Sequence, residues 1–153
     1  MTALMHRLTI SILLTFGLVL CAAAKDESID ELKSRFEKAR AEDRPELGIR
    51  IAQRQLQNAD KLYIDGKVDE AHAAVDDIVT YSEKARDAAT ETKKRLKNIE
   101  IDARKMAEKL RDIKRTLSYE DQPPVKQAID RLEDVRTSLL EAMFAKDNKK
   151  EKK

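Results

Sequence analysis

Tryptophan is absent from these 153 residues, aromatics make up only 4% of them, and there are three glycines, three prolines and one cysteine. So few rings leave no stacking platform for single-stranded nucleic acid, whose bases need aromatic faces between the cations. So little glycine leaves no loop able to cradle a phosphate. Cys21 directly follows the N-terminal apolar run, and the rest of the chain therefore offers neither a disulfide nor a zinc–thiolate site. His6 and His72 are the two histidines, and no nucleophile–base pair beyond chance accompanies them. These absences predict no enzyme activity, no cofactor, no structural metal and no nucleic-acid partner.

Charge and spacing fill the space these absences leave. Charged residues make up 39% of the chain, in a profile rich in Ala, Glu, Lys, Leu and Arg that marks long helices. From Val68 to Leu117 small or apolar residues recur at steps of three and four: Val68, Ala71, Val75, Ile78, Ser82, Ala85, Ala89, Thr92, Leu96, Ile99, Ala103, Met106, Leu110, Ile113 and Leu117. Such steps put every one of these side chains on one stripe of a helix, the seam of a coiled coil. No glycine or proline interrupts it. The spacing predicts an all-α, elongated antiparallel helical hairpin or coiled-coil rod, with one long central helix over about 67–118 flanked by shorter helices. At 1.5 Å per residue that helix would run about 75 Å.

The N-terminus predicts export. A cationic Met1 to Arg7, an apolar Leu8 to Leu20 and the small residues Ala22-Ala23-Ala24 have the order of a signal peptide cleaved between Ala24 and Lys25. The apolar run is shorter than the roughly 20 residues of a membrane span. Cys21 opens an alternative, acylation as a lipoprotein, although Leu20 before it is larger than the residue such a site prefers. The expected location is periplasmic or secreted. Residues 1–24 then form the signal peptide, 25–145 a helical coiled-coil domain, and 146–153 a lysine-rich disordered tail without apolar residues.

Four helices have start signals. Ser28 and Glu31 have capping-box spacing ahead of Leu32, Phe36 and Ala39. Glu42-Asp43-Arg44-Pro45 gives an acidic cap and a first-turn proline, followed by Ile49, Ala52, Leu56, Ala59 and Tyr63. Asp65-Gly66 closes that helix. Glu120-Asp121-Gln122-Pro123-Pro124 opens the last helix, whose seam is Val125, Ala128, Leu132, Val135, Leu139 and Ala142. Short connections predict that the second helix folds back along the first half of the long one and the fourth along its second half, end to end. Helix one would thicken the first of these pairs. In this register Arg50 and Arg54 would approach Glu83 and Asp76 or Asp77. Around Ala85, Ala88 and Ala89 the packing is of small residues, where bending or docking of a partner is expected.

One constellation points to a partner. Lys94, Lys97, Arg104, Arg111 and Arg115 share a face opposite the seam, where their fields would add along an anionic polymer, a lipid surface or an acidic protein. The plainer alternative is a solvated face laced by Glu100 with Arg104 and Glu108 with Arg111. Asp69 and Asp76 flank His72 at three and four residues, but di-iron bundles use inward glutamates and paired Glu-x-x-His motifs that this chain lacks. An ordinary surface histidine paired to an acid is expected instead.

The segment from Ala59 to Val75, with Tyr63, Gly66, Glu70-Ala71 and Val75, resembles the turn of a tetratricopeptide repeat. It covers about one repeat, lacks the large residue expected early in the first helix, and has no second copy. The resemblance implies helix–turn–helix geometry without the peptide-binding groove that stacked repeats form. The function expected of such a chain is that of an exported structural or protein-interaction module of the bacterial envelope. The alternative is an anionic-surface binder using the basic face and the lysine tail.

Overall fold

The computed structural model describes residues 27–145 and is all-helical there; the expected signal peptide and lysine tail lie outside them. Helices α1 (Ile29–Lys38), α2 (Arg44–Ile64), α3 (Val68–Thr92), α4 (Leu96–Thr116) and α5 (Gln122–Phe144) follow in order, with a single 3-10 turn over Tyr119–Asp121. Among the described residues no helix is long and apolar enough to cross a membrane.

The terminal signals act as their chemistry requires, with two exceptions. Ser28 caps α1 through a complete capping box: its Oγ accepts from the Glu31 N–H at 3.2 Å, and its own N–H donates to the Glu31 carboxylate at 2.8 Å. Gly66 takes φ +72° beyond α2, with the Lys67 N–H on the Leu62 carbonyl and the Gly66 N–H on the Tyr63 carbonyl, the paired bonds that close a helix in a Schellman motif. Proline occupies the first turn of α2. Asp43 makes no side-chain cap there and instead pairs with Arg40 at 3.2 Å, and Asp121 makes none at α5 and instead accepts from the Ser118 hydroxyl at 2.6 Å.

The long helix expected over 67–118 is two helices. α3 ends at Thr92 and α4 begins at Leu96, and both Lys93 (φ 58°) and Arg95 (φ 60°) adopt the left-handed conformation. For residues with a Cβ this costs roughly 1–2 kcal/mol each. What offsets that cost is visible beside the α3 seam. The seam itself is buried in both halves, from Ala71 to Ala89 and from Leu96 to Ile113. α3 buries a wider arc, however: Tyr81 lies beneath Phe36 of α1 on one flank, ring to ring at 5.5 Å and 86°, and Val79 is enclosed on the other. That second flank also carries Glu83, one turn on from Val79, and Glu83 meets Arg131 of α5 in a bidentate pair at 2.8 and 3.0 Å. A rod would leave this flank to solvent. Enclosing one valine is worth about 1.5–3 kcal/mol, comparable to what one left-handed residue costs.

Ion pairs fix the register of the resulting bundle. Arg95 reaches Glu46 at 2.7 Å and Lys109 reaches Asp60 at 2.8 Å, so α2 and α4 run parallel with a constant offset. α2 packs on α3 and α5 on α4, as the short turns require. The two hairpins therefore stand side by side, up-down-up-down, rather than end to end, and the turns after α2 and α4 share one end. α1 runs over the α2–α3 hairpin with Leu32 and Phe36 buried, tied down by the Lys33–Asp77 pair, which Gln55 also joins.

Close approach of α2 and α3 depends on Gly48. A Cβ there would stand 2.9 Å from the Tyr81 carbonyl oxygen and 3.0 Å from the Ala85 Cβ, with the Phe36 ring at 3.3 Å. The small residues expected to invite bending or a partner, Ala85, Ala88 and Ala89, are thus enclosed in the core, and the chain bends a few residues later. Two hydroxyls within α3 are satisfied locally, Ser82 on the Ile78 carbonyl and Thr92 on the Ala88 carbonyl, each at 2.7 Å.

Candidate functional site

The five cations predicted to form one stripe are separated by their partners. Lys94 sits in the α3–α4 turn and pairs with Glu42 at 2.8 Å. Arg111 turns toward α5, donating to Glu133 at 2.5 Å, and Arg115 pairs with Asp112 at 3.0 Å. Lys97 and Arg104, two turns apart on the exposed side of α4, have no ion pair among the described residues. Among the described residues the expected pairs of Glu100 with Arg104 and Glu108 with Arg111 are absent: Glu100 accepts from Arg136 Nε of α5 at 2.9 Å, and Arg136 Nη1 also donates to Glu133 of its own helix at 2.6 Å. Arg50, expected near Glu83, lies 3.7 Å from Glu27 instead, and Glu83 pairs with Arg131.

The Arg111–Glu133–Arg136–Glu100 chain is a partly enclosed charged group of the α4–α5 hairpin. Burial pushes the Glu133 carboxyl up, but hydrogen bonds from Arg111 and Arg136 outweigh it and hold the pKa below the ordinary carboxylate value. Hydrogen bonds to Glu100 and Glu133 raise that of Arg136. The depressed Glu133 pKa contributes stability that is complete above the unfolded value of 4.5 and is lost as pH falls through the lower folded value. Glu133→Gln should therefore flatten the acid limb of the stability–pH curve between the folded value and 4.5 and lower stability at neutral pH, as followed by denaturant melts across pH. An unchanged acid limb would contradict this assignment.

His72 departs from the expected surface histidine paired to an acid. It packs edge-on against Tyr63, ring centroids 5.9 Å apart, and its Nε2 and the Tyr63 Oη are enclosed without a hydrogen-bond partner. Burial, with the charges of Asp121 and Asp76, pushes the Tyr63 phenol up to about 12. Asp121 belongs to the turn before α5, which places that turn over the α2–α3 turn. Among the described residues no group of three or more His, Cys, Asp or Glu is arranged to hold a metal ion.

Exposed apolar side chains mark the same end. Ile64, the last residue of α2, is 79% exposed and Tyr119 is 88% exposed. Their turns belong to different hairpins, so nothing in the linear sequence associates them. Phe144, also exposed, stands at the opposite end, where α5 finishes. Periodicity gives no sign of this apolar end, since it depends on the hairpins lying side by side. No family model, no curated protein and no solved structure matches the chain.

Proposed function

We propose that this chain is an exported, non-catalytic helical-hairpin module of the bacterial cell envelope that binds another protein through the end carrying Ile64 and Tyr119. The observation supporting this reading is the contrast between that end and the rest of the surface. Along the helices most arginines and lysines have carboxylate partners within 4 Å, whereas Ile64 and Tyr119 lie open on adjoining turns. Tyrosine in particular supplies large contact area at small entropic cost and is enriched among residues that dominate interfaces. Export rests on the signal-peptide pattern of residues 1–24, and a mature chain starting at Lys25 is its consequence.

A photo-crosslinking side chain in place of Tyr119, in an exporting host, should capture one envelope protein, and Ile64→Ser should abolish the adduct. Equal adducts from a probe at exposed Asp134 of α5 would contradict the reading. Lys97 and Arg104, free of ion pairs among the described residues, favour an alternative: adhesion of α4 and the lysine tail to an anionic polymer or membrane. That alternative predicts sedimentation with phosphatidylglycerol vesicles that collapses as salt rises and is lost in a Lys97→Glu/Arg104→Glu variant.

A further inference from the structure

We infer that the α3–α4 turn is an openable hinge, and that a second copy of this chain is the partner that opens it: α3 and α4 join into one helix, and the two copies exchange α4–α5 hairpins. Three independent observations carry this. The turn places Lys93 and Arg95, neither of them glycine, at φ 58° and 60°, a conformation that a continuous helix would relieve. No glycine or proline occurs anywhere from Val68 to Leu117, and Thr92 to Leu96 keeps the four-residue step of the seam. Local sequence thus favours helix where the fold has a bend. Lastly, the contacts made by the turn itself are shallow: the pairs Lys94–Glu42 and Arg95–Glu46 have both partners about half exposed, a setting in which ion pairs contribute little.

Geometry permits the exchange. In the closed chain α3 and α4 are antiparallel, α2 and α4 parallel, and α3 and α5 parallel. Two copies with straightened α3–α4 helices, related by a two-fold axis through the hinges, reproduce each of these relations between copies. Glu83 then meets the second copy's Arg131, and Lys109 its Asp60, so the interfaces between hairpins are remade rather than lost. Only the two turn pairs disappear. Short connections under backbone strain are where such swapping arises at low cost. The dimer would be a rod about 75 Å along its shared helices, the form that the uninterrupted seam specifies.

The test is sedimentation of the exported chain, unfolded in guanidinium and refolded at protein concentrations from micromolar to millimolar. A dimer should appear as concentration rises. Lys93→Gly removes one of the two left-handed steric costs of the closed turn and weakens the straight helix, while touching no ion pair among the described residues. It should raise the dimer dissociation constant about a hundredfold, a factor of about ten for each of two hinges. A wild type that stays monomeric to millimolar concentration, or a dimer whose dissociation constant Lys93→Gly leaves unchanged, overturns the inference.

Discussion

Leu110→Ala should destabilise the protein by about 2–5 kcal/mol in denaturant unfolding, while Arg104→Ala should fall within about 0.5 kcal/mol of wild type. Leu110 is fully enclosed in the core shared by both hairpins. Truncating it forfeits its transfer free energy and leaves a cavity that neighbours on rigid helices cannot close. Arg104 is solvated and unpaired among the described residues. Losses of similar size from the two would mean that the faces of α4 are reversed. The unfolding transition also reports on assembly, because a core shared by both hairpins should melt in one step. Two steps would show hairpins that fold separately.

Gly48→Ala is expected to destabilise by about 1–3 kcal/mol, although helix propensity alone favours alanine over glycine by about 1 kcal/mol. Two effects compete, and distance decides between them. The added methyl would lie 2.9 Å from the Tyr81 carbonyl oxygen and 3.0 Å from the Ala85 Cβ. Both belong to the α3 backbone or its first side-chain carbon, so relief requires moving a helix, not turning a side chain. That movement would disturb the Phe36–Tyr81 contact and the Lys84 ammonium, which sits 4.9 Å from the Tyr81 ring. Gly66 gives the control: a Cβ there meets nothing within 4 Å, and only its positive φ penalises substitution. A Gly48→Ala protein more stable than wild type in thermal unfolding would show that α2 and α3 are further apart than these distances require.

Much of the fold was legible in the residues because most of its determinants are local. The capping box at Ser28, the closure at Gly66, the proline before the body of α2 and the pairing of adjacent helices all follow from short-range chemistry. The seam named most of the core of α3 and α4. Its continuity misled because lysine and arginine occupy left-handed positions where glycine or asparagine ordinarily marks a bend. The deciding information lay off the seam, in Val79 and Tyr81 beside it: a helix with an apolar arc wider than an a/d stripe has more than one neighbour. The partners of the basic stripe were hidden for a related reason. Arg111 shares its face with Arg104 by helical phase, but Glu133 approaches from a helix whose register the linear sequence does not state. Ile64 and Tyr119, 55 positions apart in the sequence, come to one end only through the bend at Lys93–Arg95.

The bend can be measured as one distance. Spin labels at Glu70→Cys near the start of α3 and Arg115→Cys near the end of α4, with Cys21→Ser and labelled chains diluted into unlabelled ones at the lowest workable concentration, report the separation within a single chain by double electron–electron resonance. With the turn closed, both labels lie at the same end of neighbouring helices, and the separation should be below about 30 Å. A dominant separation near 68 Å, the rise of about 1.5 Å per residue along one unbroken helix, would contradict the side-by-side bundle.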